Sequence, residues 1–409
     1  MSLQTALTGL TAAQTGIDTT SNNLANANTT AFKSQTALFE SIFPQEGSSD
    51  DTPGMGAETE GISTNLNQGS LNQTGDSLDA AIQGNGYFVV SSNGTQQYTR
   101  DGAFQLSSTG QIETLNGGVI QGYSTVNGAL SGSLGAITIN TGSVGGTATG
   151  NVGITLDLSS GATAPTTTTF DPSDSSSYNN STSVVAYDSQ GNANHIQLYT
   201  VYGGTSNGTS SWKVYAVPEA TDGTPIGTTP TTPMTTLTFN NSNGTLSGTG
   251  KASLQVTWPN QATSSTINFD FAGTTSMSQS FSVSSLTNDG SAPGSYAGVA
   301  IGTDGSVNAT YTNGKTLSVG KIALANFLNP GGLTPQTGNL YAANGNSGSP
   351  TINQPGAGQA GTLAGGELEE SNVSTSNMLV SLIQYQQAYQ ANTSVIQTEQ
   401  QDSQRLLQI

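Results

Sequence analysis

Apolar residues recur every seven positions at the start of the chain, at Leu3, Leu10, Ile17 and Leu24, with Ala6, Ala13, Thr20 and Ala27 three positions further on. That spacing marks one face of a helix and predicts one from about Gln4 to Leu24, with Ser2 as its N-cap. One branched and one small side chain per heptad make a seam too narrow to bury the helix alone, so it must pack closely on another helix. The chain ends on a matching pattern. Met378, Leu382, Tyr385, Tyr389 and Ile396 follow three- and four-residue steps, flanked by Leu379, Ile383, Ala388 and Val395. This predicts a second helix from near Glu367 to about Leu407, capped by Ser371, Ser374 or Thr375. Glu367, Glu369 and Glu370 would form a solvated charge run at its positive N-terminal end. Past Ile396 this helix is polar until Leu406, Leu407 and Ile409.

After the first helix come Asn22, Asn23, Asn26 and Asn28, poor helix formers whose amides bond local backbone. They predict a chain reversal locked by side chains; the plainer alternative is a fraying helix end. Residues 32–43, with Phe32, Leu38, Phe39, Ile42 and Phe43, read as either a short helix or an extended arm, and 44–75 as a polar, loop-rich connector lying against its neighbours.

From Leu78 the period changes to two. Short runs such as Tyr87–Val90, Ala103–Leu106 and Val119–Tyr123 alternate with turns at Asn93-Gly94, Asp101-Gly102 and Asn116-Gly117-Gly118, which predicts a β-meander or small barrel. The region 142–182 is dominated by Gly, Thr, Ser and Asn. A second β pattern follows, with strands around Ser183–Tyr187, His195–Tyr202, Trp212–Val217, Leu237–Phe239, Leu254–Trp258 and Ile267–Phe271. After Asn288-Asp289-Gly290 the first pattern resumes, so the chain goes out along one side and returns along the other. The expected fold is mixed and mainly β. N- and C-terminal α-helices would form a coiled-coil layer, with two nested β-barrel or sandwich-like domains between them. The expected division is a terminal helical assembly domain (1–33 and 366–409), an extended connector (34–75), a discontinuous inner β domain (76–143 and 288–365) and an inserted outer β domain (144–287).

Composition narrows the function. Seven Lys and Arg against 25 Asp and Glu argue against nucleic-acid binding, which needs clustered cations. No Cys is present, which removes disulfides and thiolate chemistry. Only 8% of residues are charged, which separates this polar chain from a disordered one. No window is long and apolar enough to cross a membrane, and the N-terminus lacks the basic and apolar regions of a cleaved signal peptide, so no membrane insertion is expected and any export would use another route.

Candidate chemistry is thin. His195 is the sole histidine and sits on a strand pattern; Gly84-Asn85-Gly86 lacks the third glycine of a dinucleotide loop and reads as a hairpin turn. Asp188–Asn192 and Thr303–Ser306 lack the ligand spacing of a calcium loop. No catalytic, cofactor or metal residue is assigned, and no enzyme activity is expected. What remains is the pair of terminal helices, whose seams suit burial by other copies of the chain.

The motifs carry a resemblance. Ser21–Lys33, Gly84–Val90, Tyr98–Phe104, Gly117–Tyr123, Leu368–Val373 and Tyr385–Asn392 are similar to those of the bacterial flagellar rod and hook proteins, and the 185–215 region resembles the hook protein family in particular. The family usually has Gly where this chain has Ala31. The resemblance implies a hook subunit that polymerises into a curved tube, a universal joint transmitting torque from the rod to the filament. It implies an extracellular place in the flagellum, reached through the flagellar type III export apparatus without a cleaved leader. Implied partners are other copies of the chain, rod proteins, the hook cap protein and hook–filament junction proteins. The assembly interface would comprise Leu3, Leu10, Ile17, Leu24, Asn22, Asn23, Asn26, Asn28 and Phe32 from one end and Met378, Leu382, Tyr385, Tyr389 and Ile396 from the other. Phe39 and Phe43 are either an export signal or a small packing cluster. A distal rod subunit is the alternative within the class, and a secreted β-rich adhesin the alternative outside it.

Overall fold

The computed structural model describes residues 2–43, 54–92, 94–126 and 128–406. The turn read at Asn93-Gly94, the first part of the connector and the apolar end at Leu407 and Ile409 therefore lie wholly or partly outside the described residues. Two compact units form: Met1–Ile139 with Gly298–Ala309 and Thr316–Ile409, and Asn140–Ala297 with Thr310–Lys315.

The first unit begins with α1 (Ser2–Ala25) and ends with α2 (Thr375–Leu406). At 1.5 Å per residue these are rods of roughly 36 and 48 Å. They pack on one another antiparallel, as coiled-coil partners. α1 already contains Ser2, so the helix starts earlier than expected. α2 starts later than expected. Glu367–Glu369 is a strand, not helix, pairing with β3 (Leu71–Gln73). Six-residue separation from the helix start also removes Glu369 from any role at the helix dipole.

The stretch read as helix or arm is extended: β1 (Gln35–Ser41) pairs antiparallel with β2 (Ala57–Thr64), with a bulge between Leu38 and Phe39. The loop-rich reading of 44–75 is thus corrected by β2 and β3. Polar composition hid them, because a two-stranded ribbon resting on α1 has little surface to bury. The remainder of this unit is an antiparallel sheet in the order Thr316–Ile322, Val119–Val126, Tyr87–Ser92, Thr95–Thr99, Leu340–Ala342, Thr334–Gln336. Tyr87, Tyr98, Phe327 and Tyr341 pack edge to face beneath it, and Phe88 meets Phe104 at 4.9 Å.

The second unit is a sandwich of two five-stranded sheets. One runs Asn180–Tyr187, Ala193–Ser206, Thr209–Glu219, Thr235–Asn240, Leu246–Ser247. The other is built on Asn151–Ser159, which pairs with Ser265–Asp270, Thr275–Met277 and Ser282–Asn288. Alternate residues of that central strand, Val152, Ile154, Leu156 and Leu158, are buried against Ile196, Leu198, Trp212, Val214, Phe239 and Phe269 of the shared core. The strand lies within the stretch that composition marked only as Gly-, Thr-, Ser- and Asn-rich.

The remaining candidates for chemistry lie in strands and turns. His195 lies mid-strand opposite Val185, its Nδ1 3.3 Å from the Ser183 hydroxyl. The buried Asp188 carboxylate accepts from the Gln190 and Asn192 amides and from the Asn192 and Asn260 side chains, a closed turn. Asp304 is engaged by Lys321 at 2.8 Å. Gly84-Asn85-Gly86 turns with both glycines at positive φ.

Candidate assembly interface at the chain ends

Gly9, Gly16 and Asn23 of α1 meet Asn392, Tyr385 and Met378 of α2 in three layers, each seven residues apart on both helices and running in opposite directions. A Cβ at Gly16 would lie 2.6 Å from the Tyr385 ring, and one at Gly9 2.8 Å from the Asn392 amide. Ala6, Ala13 and Thr20, three residues ahead of each layer, are buried. The intramolecular seam is therefore made of small residues, which let two backbones approach closely and leave van der Waals contact with Tyr385 as its main anchor.

Leu3, Leu10, Ile17 and Leu24 are displaced by one residue, or about 100° around the helix, from Gly9, Gly16 and Asn23. Leu3 is 49% exposed, while Leu10, Ile17 and Leu24 are half-buried. The Ala row is shared: on one side it abuts the glycines that face α2, on the other the branched residues that α2 leaves partly open. On α2, Met378, Leu382, Tyr385, Tyr389 and Ile396 form the half-buried face, whereas Leu379, Val380, Ile383 and Val395 are exposed. Exposed Leu7, beside Leu3, was not singled out by the heptad reading.

Below the helices a neck joins three distant segments. The Asn23 side chain acts as a surrogate strand residue, accepting from the Gln35 amide at 2.8 Å and donating to its carbonyl at 2.6 Å. Asn26 donates to the Asn22 carbonyl and side chain and accepts from the Thr29 hydroxyl, so the Asn-rich stretch is a locked reversal rather than a frayed end. Ala31 then takes φ +56°, and its N–H donates to the Glu369 carbonyl at 2.7 Å. Asn28 borders a cleft with Thr29, Thr30, Asn72 and Ser371, and Phe32 is half-buried. Phe39 meets Tyr385 edge on at 6.3 Å; Phe43 is 65% exposed.

At the centre of the neck is a buried ion triad. Glu369 Oε1 accepts from Lys33 Nζ at 2.5 Å and from the Gly69 amide at 2.9 Å, and Oε2 accepts from Arg100 Nε at 3.0 Å. Arg100 also donates to the Gly86 and Gly84 carbonyls, so the glycine turn serves as its acceptor cradle. Burial alone would push the Glu369 carboxyl up, but the charge of Arg100 and the hydrogen bond from Lys33 hold it below the usual carboxylate range. Burial pushes the Lys33 ammonium down against the pull of Glu369. Asn372 completes the neck, accepting from the Ser34 amide and donating to the Asn65 and Asn67 carbonyls. The triad contradicts the reading of Glu369 as part of a solvated charge run. Its only local sequence signal was an acidic residue in a Leu-Glu-Glu-Ser-Asn stretch, which says nothing of partners hundreds of residues away.

Paired terminal helices, a polar locked neck and a β body inserted between the chain ends define the class: a β-rich subunit whose two ends meet in one helical layer. Four family models match in chain order: flagella basal body rod protein over residues 3–33, flagellar hook protein FlgE/F/G D1 domain over 81–156, flagellar basal body protein FlaE D2 domain over 155–291, and flagellar basal body rod FlgEFG protein C-terminal over 364–409. The chain belongs to the flagellar hook protein FlgE family. It is 36% identical to the flagellar hook protein FlgE of Salmonella typhimurium, with 98% of each chain covered. It is 35% identical to that of Escherichia coli, again over 98% of each. The crystal structure of Helicobacter pylori flagellar hook protein FlgE2 shares the fold, with a TM-score of 0.51 at 14% identity over 73% of this chain and 99% of that one.

Proposed function

We propose that this chain is the repeating structural subunit of the flagellar hook, polymerising into a curved tube that transmits torque from rod to filament. The observation that carries this reading is the second, half-open seam of α1. Leu3, Leu10, Ile17 and Leu24 remain partly uncovered after α2 has docked, as do Leu379, Val380 and Ile383 of α2. A monomer leaves those apolar surfaces in water; neighbouring copies in a helical array cover them. In this reading the helical pair forms an inner layer, and the assembly residues divide by role. Gly16, Asn23, Met378 and Tyr385 hold the pair together, while Leu10, Ile17, Leu382 and Tyr389 contribute contacts between copies.

The four-part division proposed from the sequence assigns the helices to the inner layer and the β domains 76–143 with 288–365 and 144–287 to layers further out. Weakly charged β surfaces fit contacts that break and re-form, because no strong ion pair needs to be desolvated. Rod, cap and junction proteins are the proposed heterologous partners, and type III export without a cleaved leader the proposed route. An export signal at Phe39 and Phe43 is part of the same proposal; Phe43 is exposed, and Phe39 packs on Tyr385. Electron microscopy of concentrated full-length protein tests the assembly. Curved tubes are expected; straight tubes would favour a distal rod subunit, and a chain that stays monomeric at every concentration would refute polymerisation.

A further inference from the structure

The neck triad contains two cations and one anion, all with side chains at most 7% exposed. Its members come from three places: Lys33 is 336 residues and Arg100 269 residues from Glu369. Without Glu369, closing the neck would bring an ammonium and a guanidinium together in a site that excludes water, with the backbone carbonyls of Asn67, Ile82, Gly84 and Gly86 as their remaining hydrogen-bond acceptors among the described residues. Such an arrangement is strongly unfavourable, because an uncompensated buried charge loses its hydration and gains nothing in return. We infer that Glu369 is the closing residue of the neck: the N-terminal arm stays undocked until the C-terminal strand delivers this carboxylate.

The order of synthesis gives the device its use. Lys33 and Arg100 emerge long before Glu369, so an incomplete chain carries two like charges at the closure point and no counter-charge. The Asn23–Gln35 pair forms within the N-terminal segment, but the amides of Ala31 and Ser34 find their acceptors only on the C-terminal one, at the Glu369 carbonyl and at Asn372, three residues beyond Glu369. α2 follows Glu369 closely, so the closed neck and the helical pair are completed by the same last segment of the chain. Glu369 is a positioning residue in this account; it acts through the neck, not by touching another copy. The use in assembly rests on the hook-subunit reading, whereas closure of the neck does not.

The test compares full-length wild type with Glu369→Gln and with the double variant Lys33→Met and Glu369→Gln. The double variant restores the wild-type net charge of the site, and the Asn67 carbonyl keeps its Asn372 donor. Hydrogen exchange is read at the Ala31 and Ser34 amides in unpolymerised protein, and tube formation by light scattering. Glu369→Gln is expected to lower protection at both amides about 100-fold or more, leave Phe88 and Ile120 amides protected, and slow polymerisation at least tenfold. The double variant should recover most of both. Wild-type protection in Glu369→Gln would overturn the inference, as would a double variant as open as the single one, since the strand and not the charge would then close the neck. Recovered protection without tubes would support neck closure while counting against the assembly reading.

Discussion

The ring of Tyr385 occupies the space that a side chain at Gly16 would need, with its Cδ1 and Cε1 2.6 Å from where a Gly16 Cβ would stand. This contact sets how closely α1 and α2 approach. Gly16→Leu is expected to cost about 1–3 kcal/mol through overpacking, offset by less than ~1 kcal/mol of improved helix propensity. Limited proteolysis should then release the terminal helices while the β body survives. Equal resistance in both proteins would show that the contact is dispensable.

Leu10 stands on the half-open side of α1, away from the glycine row. Leu10→Asp should leave both β units folded by circular dichroism and thermal melting, yet abolish tube formation by placing a charge in an apolar contact between copies. Normal tubes from this variant would refute the second seam.

Ala31 holds a left-handed conformation while buried. A β-branched side chain tolerates that conformation poorly, so Ala31→Val should destabilise the neck by about 1–3 kcal/mol. Ala31→Gly removes the Cβ penalty but frees the unfolded chain, and the two effects should cancel to within about 1 kcal/mol. Urea melts of the two variants, compared with wild type, check the contrast.

Asp188 and Asp289 tie loops of the outer unit, Asp289 by accepting from the Gly150 and Asn151 amides and the Asn151 side chain. For both, burial pushes the carboxyl up, but hydrogen bonds to the charged form outweigh it and hold the group below its ordinary value. A folded-state value below the unfolded one means the stabilisation is present above about pH 4 and is lost as pH falls through the folded value. The melting temperature should therefore be flat from neutral pH to near pH 4 and fall below it. Asp188→Ala, leaving buried donors unpaired, should cost about 1–3 kcal/mol at neutral pH and flatten part of that acid limb. An unchanged acid limb would remove Asp188 from the account.

The sequence by itself determined the elements whose signals are local. The heptads of α1, the three-and-four spacing of α2 and the alternating strands of both β patterns follow from side-chain periodicity, which any short window carries. Asn151–Ser159 was legible too, in the alternation of Val152, Ile154, Leu156 and Leu158, but lay in a Gly- and Thr-rich stretch whose composition masked the period. Tertiary structure alone decided which side of the Ala row α2 would cover. Heptad spacing is the same for Leu10 and for Gly9, and only the bulk of Tyr385 selects the glycines. It alone decided the fate of Glu369 as well: a carboxylate near a helix start reads as solvated until Lys33 and Arg100 arrive from elsewhere in the chain. Burial is a property of what surrounds a residue, and for this one the surroundings are hundreds of positions away.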